Sequence, residues 1–254
     1  MKRHAWKACI RQKRIIVSRN GKATAVAGAF DSRITVTAPS SSGAGGMVSF
    51  RYNSEGLTFD YSPLRKDEFI DFQGETEGAT SYENYQTEAG KMVTVTTNQS
   101  FTHLGHDSMG GWVIDKYRTF TDVAEFPLDQ HLLAALSSGE NRYLYITTEV
   151  VGGDWVNAAG TYACYLETKK IFEGLGLGEH LAAHVHAVGH AFTRLDAEYL
   201  VAFCEQKVYK NRDVVYTKRL QELATNVYEQ AGNRAVVDGI YKKVCSDADS
   251  SFGA

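Results

Sequence analysis

The sequence predicts an α/β fold, with a parallel sheet layered between helices. Three observations carry this reading. Short β-branched or apolar runs alternate along the chain with helical patterns. Those helical patterns are long enough to serve as the crossovers that parallel strands require. And 254 residues, 43% of them hydrophobic, are enough for one sizeable core.

Each element has a local reason. Ile15–Val17 reads as a short buried strand. Lys22–Phe30 reads as a helix that approaches the sheet closely through Ala23, Ala27 and Gly28, because small side chains allow it. Ile34–Ala38 is β-branched and ends at Pro39. Ser40–Gly46, "SSSGAGG", is the one concentrated small-residue loop. From Arg51 to Trp112 the pattern is irregular, with a β-rich patch at Met92–Thr97, as expected of an insertion over a scaffold. "LDQHLLAALSSG" predicts a short helix with Leu128, Leu132, Leu133 and Leu136 as its apolar face, stopped by Gly139. Tyr143–Thr148 predicts a strand, Ala158–Glu173 an amphipathic helix closed by Gly174 and Gly176, Leu181–Val188 a strand, and Ala197–Val208 a helix. A further helix is expected at Lys218–Glu229. The chain therefore divides into a unit over 1–210, with its insertion at about 51–112, and a helical extension over 211–254.

Bulk properties exclude several functions. A formal net charge of −3 gives no reason to expect nucleic acid or an anionic membrane as partner. The longest apolar run, near Ala197–Cys204, falls far short of a membrane span. The basic N-terminus is followed by no apolar stretch of the signal-peptide kind. Cys9, Cys164, Cys204 and Cys245 show no C-x-x-C spacing, which argues against a zinc ribbon and leaves disulfides undecided.

In an open parallel sheet, ligands and catalytic groups gather at the carboxyl ends of strands. Three polar residues are expected at such ends: Ser18, Asp154 in "EVVGGDWVNAAG", and His190 in "HAVGHAFTRLD". Their order along the chain, serine then acid then histidine, is that of α/β-hydrolase triads. A serine hydroxyl needs an imidazole to take its proton, and the imidazole needs a carboxylate to fix its tautomer. Each residue also has a structural reading. Ser18 in "SRNG" could cap the following helix, and Asp154 could be a turn residue. His184, His186 and His190 could hold a metal, since His184 and His186 would share one strand face, but the remaining ligands would have to come from elsewhere.

The blocks "SRNGKATAVAGAFDSRI", "SSGAGG", "FPLDQHLLAAL", "DWVNAAGTYACYLETKKIFEGLG" and "VGHAF", in that order, resemble the glucuronoyl esterases over about residues 14–208. These carbohydrate esterases cleave esters between glucuronic acid side chains of xylan and lignin alcohols. The resemblance implies a three-layer α/β-hydrolase fold and a serine esterase acting through an acyl-enzyme. It implies Ser18 as nucleophile, His190 as catalytic histidine, Arg19 as support for the oxyanion, and Lys22 and Trp112 as contacts to the sugar. It implies no cofactor, no metal, a glucuronic acid ester or glucuronoxylan as substrate, and a monomer. Relatives are secreted or periplasmic.

Four departures accompany it. Ser41 stands where many members carry a glutamate, so the acid must come from the later strand, with Asp154 first and Glu149 in reserve. Ile16 replaces the glycine two residues before the nucleophile. The family's domain extends well upstream of Ser18, so an N-terminally truncated hydrolase is expected. The tail after Lys210 has no counterpart. An inactive or carbohydrate-binding remnant is the alternative reading.

Overall fold

The computed structural model describes residues 17–60, 62, 91–106, 111, 113–149, 156–186, 190, 192, 194–211 and 233–235. Its centre is a three-stranded parallel sheet. β1 (Val36–Thr37) pairs with β4 (Tyr143–Glu149), which pairs with β5 (Leu181–His186). Isolated parallel bridges join Val17 to Ser40 and Ser40 to Thr147, so the residue before Ser18 sits on the outer flank of β1. A separate antiparallel pair, β2 (Thr58–Asp60) with β3 (Met92–Thr94), covers part of the core through Phe59 and Val93. The Asn233 side chain hydrogen-bonds the backbone of Asp60 through both amide atoms, at 2.8 and 3.1 Å, which ties a piece of the C-terminal tail to β2.

β4 is buried along its whole length, as a central parallel strand must be. Its side chains alternate between two cores. Leu144 and Ile146 pack with Ala25 of α1 (Arg19–Phe30), Ala134 of α3 (Gln130–Ala135) and Ala158, Tyr162 and Phe172 of α4 (Ala158–Gly174). Tyr143 and Tyr145 pack on the opposite face, with Tyr199 and Phe203 of α5 (Arg194–Phe203). The sheet therefore lies between two helical layers. A separate cluster of Ala44, Phe50, Phe101, Leu104 and Tyr117 carries α2 (Phe101–His106).

Several expectations are corrected in detail. α1 begins three residues earlier than expected, and its buried stripe is Gly21, Ala25, Gly28 and Ala29, whereas Ala23 and Ala27 face solvent. The spacing of that stripe is the one-sided helical repeat. α3 buries Gln130 and Ala134 and exposes Leu128, Leu132 and Leu136; of the four leucines only Leu133 packs against the core. Hydrogen bonds choose that face. Gln130 Nε2 donates to the Gly46 carbonyl at 2.7 Å, and the buried Asp129 accepts from the Phe50 N–H and the Ser49 hydroxyl. α5 starts at Arg194 and gives way to a π-helical turn over Cys204–Val208. β2 was not legible in the sequence. Ala187 and Val188 of the expected β5, and the helix expected at Lys218–Glu229, lie outside the described residues. Among the described residues no helix is long and apolar enough to cross a membrane.

Gly28 lets α1 rest on β1. A Cβ there would fall 2.2 Å from Thr37 Oγ1 and 2.8 Å from Thr37 Cβ. Thr37 is buried and β-branched, so it has no room to yield. Gly28→Ala should therefore lower the unfolding free energy by about 1–2 kcal/mol in urea titration, the overpacking outweighing about 1 kcal/mol of helix propensity. An Ala27→Gly change on the exposed face should cost only about 0.5–1 kcal/mol.

Candidate active site

The carboxyl edge of the sheet collects four of the residues of interest: Ser18 after Val17, Ser41 after β1, Glu149 at the end of β4, and His190 after β5. Ser18 holds φ 63° and ψ −125°, a backbone conformation that a residue with a Cβ adopts only at a cost of about 1–3 kcal/mol. It heads α1, and its carbonyl accepts from the Lys22 N–H at 3.2 Å. Its side chain makes no capping hydrogen bond. The hydroxyl therefore does not serve as a helix cap.

His190 Nδ1 hydrogen-bonds Glu149 Oε1. The Glu149 side chain is fully buried, and its other oxygen has no hydrogen-bond partner among the described residues. A buried carboxylate needs a donor or a cation close by, and here the imidazole supplies it. Glu149 lies on the Tyr143–Tyr145–Thr147 side of β4, the face covered by α5. Ser18 and Glu149 stand two strands apart, about 9–10 Å at the spacing of paired strands.

Lys22, one turn into α1, reaches under the loop that follows β1. Its ammonium donates to the carbonyls of Ser42 and Ala44, the latter at 2.5 Å, and to Gln99 Oε1 at 3.3 Å. Three acceptors match the three donors of an ammonium. Burial pulls the Lys22 pKa down to about 7 from its ordinary 10.5. A folded value below the unfolded one means that the folded chain holds fewer protons between the two, so folding gains from rising pH across that window. The unfolding free energy of the wild type should therefore rise relative to that of Lys22→Met between about pH 7 and 10, and the difference should be flat below about pH 6; a falling difference would contradict this.

Gln99, which no sequence pattern singles out, also seats the loop. A Cβ on Gly43, whose φ is +59°, would fall 2.1 Å from Gln99 Oε1. Asn157 holds the same region from below. It donates to the Tyr52 and Gln99 carbonyls at 3.0 and 3.2 Å, and its Oδ1 accepts from the Gly160 N–H at the start of α4. Ser41 is buried with φ 44°, so this edge carries a short hydroxyl after β1.

Arg19 is the first residue of α1 and is exposed. Asp154, Trp112 and Ile16 lie outside the described residues. Of the three histidines weighed as metal ligands, His184 Nδ1 bonds Asp196 and His190 Nδ1 bonds Glu149. Among the described residues no group of three or more His, Cys, Asp or Glu side chains could hold a metal ion.

Comparison with known proteins adds an independent line. The family described as "Glucuronyl esterase, fungi" matches residues 4–62, which include Ser18, Arg19, Lys22 and the loop over 41–46. A multidomain esterase of Ruminococcus flavefaciens is 35% identical over 218 residues, which is 86% of this chain and 25% of that protein. Over these segments the chain is similar to glucuronoyl esterases. A 4-O-methyl-glucuronoyl methylesterase of Hypocrea jecorina is 28% identical over 195 residues, 74% of this chain and 33% of that protein. Among solved structures, a carbohydrate esterase family 15 glucuronoyl esterase from Caldicellulosiruptor kristjansonii superposes with a TM-score of 0.56 at 29% identity, over 76% of this chain and 42% of that one. The glucuronoyl esterase catalytic domain from Hypocrea jecorina, 24% identical with a TM-score of 0.52 over 77% of this chain and 43% of that one, shares the fold. The chain thus spans a quarter to a third of the length of these curated relatives and about two-fifths of these solved ones.

Proposed function

We propose that this chain carries the catalytic centre of a serine esterase on an α/β-hydrolase fold, hydrolysing esters of 4-O-methyl-glucuronic acid such as those linking xylan to lignin alcohols. The observation that carries the reading is the strained backbone of Ser18, with its hydroxyl uncommitted to capping, at the same sheet edge as the His190–Glu149 pair. Ser18 is the nucleophile, His190 the general base and then acid, and Glu149 the carboxylate that fixes the imidazole with Nδ1–H toward itself. Asp154 is the other acid that the sequence offers.

The roles follow from charge flow. His190 Nε2 takes the Ser18 proton as Oγ attacks the ester carbonyl. Negative charge then develops on the carbonyl oxygen. The N-terminus of α1, with the Arg19 N–H and guanidinium, lies beside Ser18 along the chain and supplies positive potential to that oxygen. The imidazolium returns its proton to the departing alcohol, which leaves an acyl-enzyme on Ser18. Water, deprotonated by His190, repeats the sequence and releases the uronic acid. An esterified uronate is neutral, so its sugar ring is held by hydrogen bonds and an apolar wall. Trp112 is the side chain assigned to that subsite; Lys22, expected from the resemblance to contact the sugar, instead spends its ammonium donors on Ser42, Ala44 and Gln99 and so shapes the loop beside it.

Hydrolysis of the methyl ester of 4-O-methyl-glucuronic acid tests the reading, alongside an aryl acetate. Ser18-dependent turnover that favours the uronate ester is the expected result. Turnover of the aryl acetate alone would assign the fold to another ester, and sugar binding without turnover would support a non-catalytic carbohydrate-binding role.

A further inference from the structure

A second imidazole–carboxylate pair lies beneath the first, and the proposed mechanism does not use it. His184 Nδ1 is 2.8 Å from Asp196 Oδ1, and their side chains are 3% and 0% exposed. Because a carboxylate only accepts, Nδ1–H is the donor. The imidazole edge also meets the ring of Tyr199, with centroids 4.9 Å apart and planes at 77°. Asp196 and Tyr199 are one turn apart on α5, so one face of that helix grips the ring from two sides.

The location gives the pair its meaning. His184 is on β5, in register with Thr147 of β4, and hence on the same sheet face as Glu149. Asp196 is in the first turn of α5. The two residues are twelve apart in the chain, and His190 is the midpoint between them. The pair therefore ties β5 to α5 on either side of His190 in the chain. An apolar contact there would hold strand and helix together but would tolerate sliding. A buried, directional, charge-assisted hydrogen bond does not, because in a low dielectric either partner left unmatched is costly.

We propose that His184 and Asp196 are positioning residues for His190: they fix the register of α5 on β5, so that the connecting loop returns the catalytic imidazole onto Glu149. This rests on the catalytic role assigned to His190 above. Misplacing a reacting group by about 1 Å costs on the order of 10²-fold in rate.

Asp196→Asn keeps the shape of the pair and removes its charge, and His184→Asn keeps a donor near the Nδ1 position. Each should lower kcat on the uronate ester by about 10- to 100-fold with KM within about threefold, at temperatures well below its own thermal midpoint. A merely structural pair would lower the thermal midpoint and leave kcat of the folded protein unchanged, which would overturn the proposal. A second measurement needs neither a stable variant nor an ester. In wild-type protein labelled with 15N-histidine, the Nδ1 protons of His184 and His190, both bonded to carboxylates, should resonate far downfield. On warming below global unfolding the two signals should be lost together. Persistence of the His190 signal after that of His184 has gone would contradict the proposal. Absence of turnover in the wild type would sink the esterase reading, while these spectra would still decide whether the inner pair holds His190 in place.

Discussion

Ser18→Ala is expected to reduce kcat on the methyl ester of 4-O-methyl-glucuronic acid by about 10⁴- to 10⁶-fold, leaving a residue of catalysis from oxyanion stabilisation and binding alone. KM should change little, because the hydroxyl acts on the reacting carbon rather than on the sugar. The expectation does not depend on the serine being a good helix cap, since its side chain makes no capping bond. For that reason the substitution should not cost the usual ~1 kcal/mol of a lost cap. Alanine also tolerates φ 63° poorly, so the strained turn persists and thermal stability should shift by little in either direction. A large loss of stability would mean that Ser18 is structural after all. Equal turnover by wild type and variant would remove it from the chemistry.

Glu149→Gln should be nearly as damaging, with kcat down by about 10³- to 10⁴-fold, the order of loss seen when an amide replaces the carboxylate of a Ser-His-Asp triad. The amide presents N–H as well as C=O to His190 Nδ1 and no longer enforces the tautomer with Nε2 open to the serine proton. It also removes the negative charge that stabilises the imidazolium. Asp154→Asn, assayed in parallel, should lose less than about tenfold. The opposite pattern would give the acid's role to Asp154. His190→Ala is informative for stability: it strips the described partner from a fully buried carboxylate, and breaking a buried pair from one side costs about 3–5 kcal/mol when the remaining group stays charged. Unfolding free energy near pH 7, measured by urea titration, should fall accordingly.

The strands and helices around the centre were readable because their burial is expressed in side-chain type. β4 carries large apolar or aromatic residues on both faces, as a doubly covered strand must, and α4 begins at Asn157 and ends at paired glycines. α1 was found but turned the wrong way, since a helix built of alanine and glycine has no large residue to mark the inner face. α3 misled for the opposite reason. Its leucines advertise a face that six residues of helix do not bury, while Asp129 and Gln130, polar and inconspicuous, choose the orientation through hydrogen bonds made up to 84 residues away. Glu149 was within reach of the pattern. Tyr143, Tyr145 and Thr147 alternate onto one face, and extending the strand by one residue beyond Thr148 puts the carboxylate on that face at the sheet edge. β2 left no signal because three residues are too few to show a period.

Covalent capture tests the convergence of hydroxyl, imidazole and carboxylate most directly. The protein would be treated with a fluorophosphonate, digested, and mapped by mass spectrometry. One phosphonyl group should form per chain, on the peptide containing residue 18, at a rate cut by at least about 100-fold in both His190→Ala and Glu149→Gln. Modification of a different serine, or labelling of Ser18 at an unchanged rate in both variants, would contradict the account.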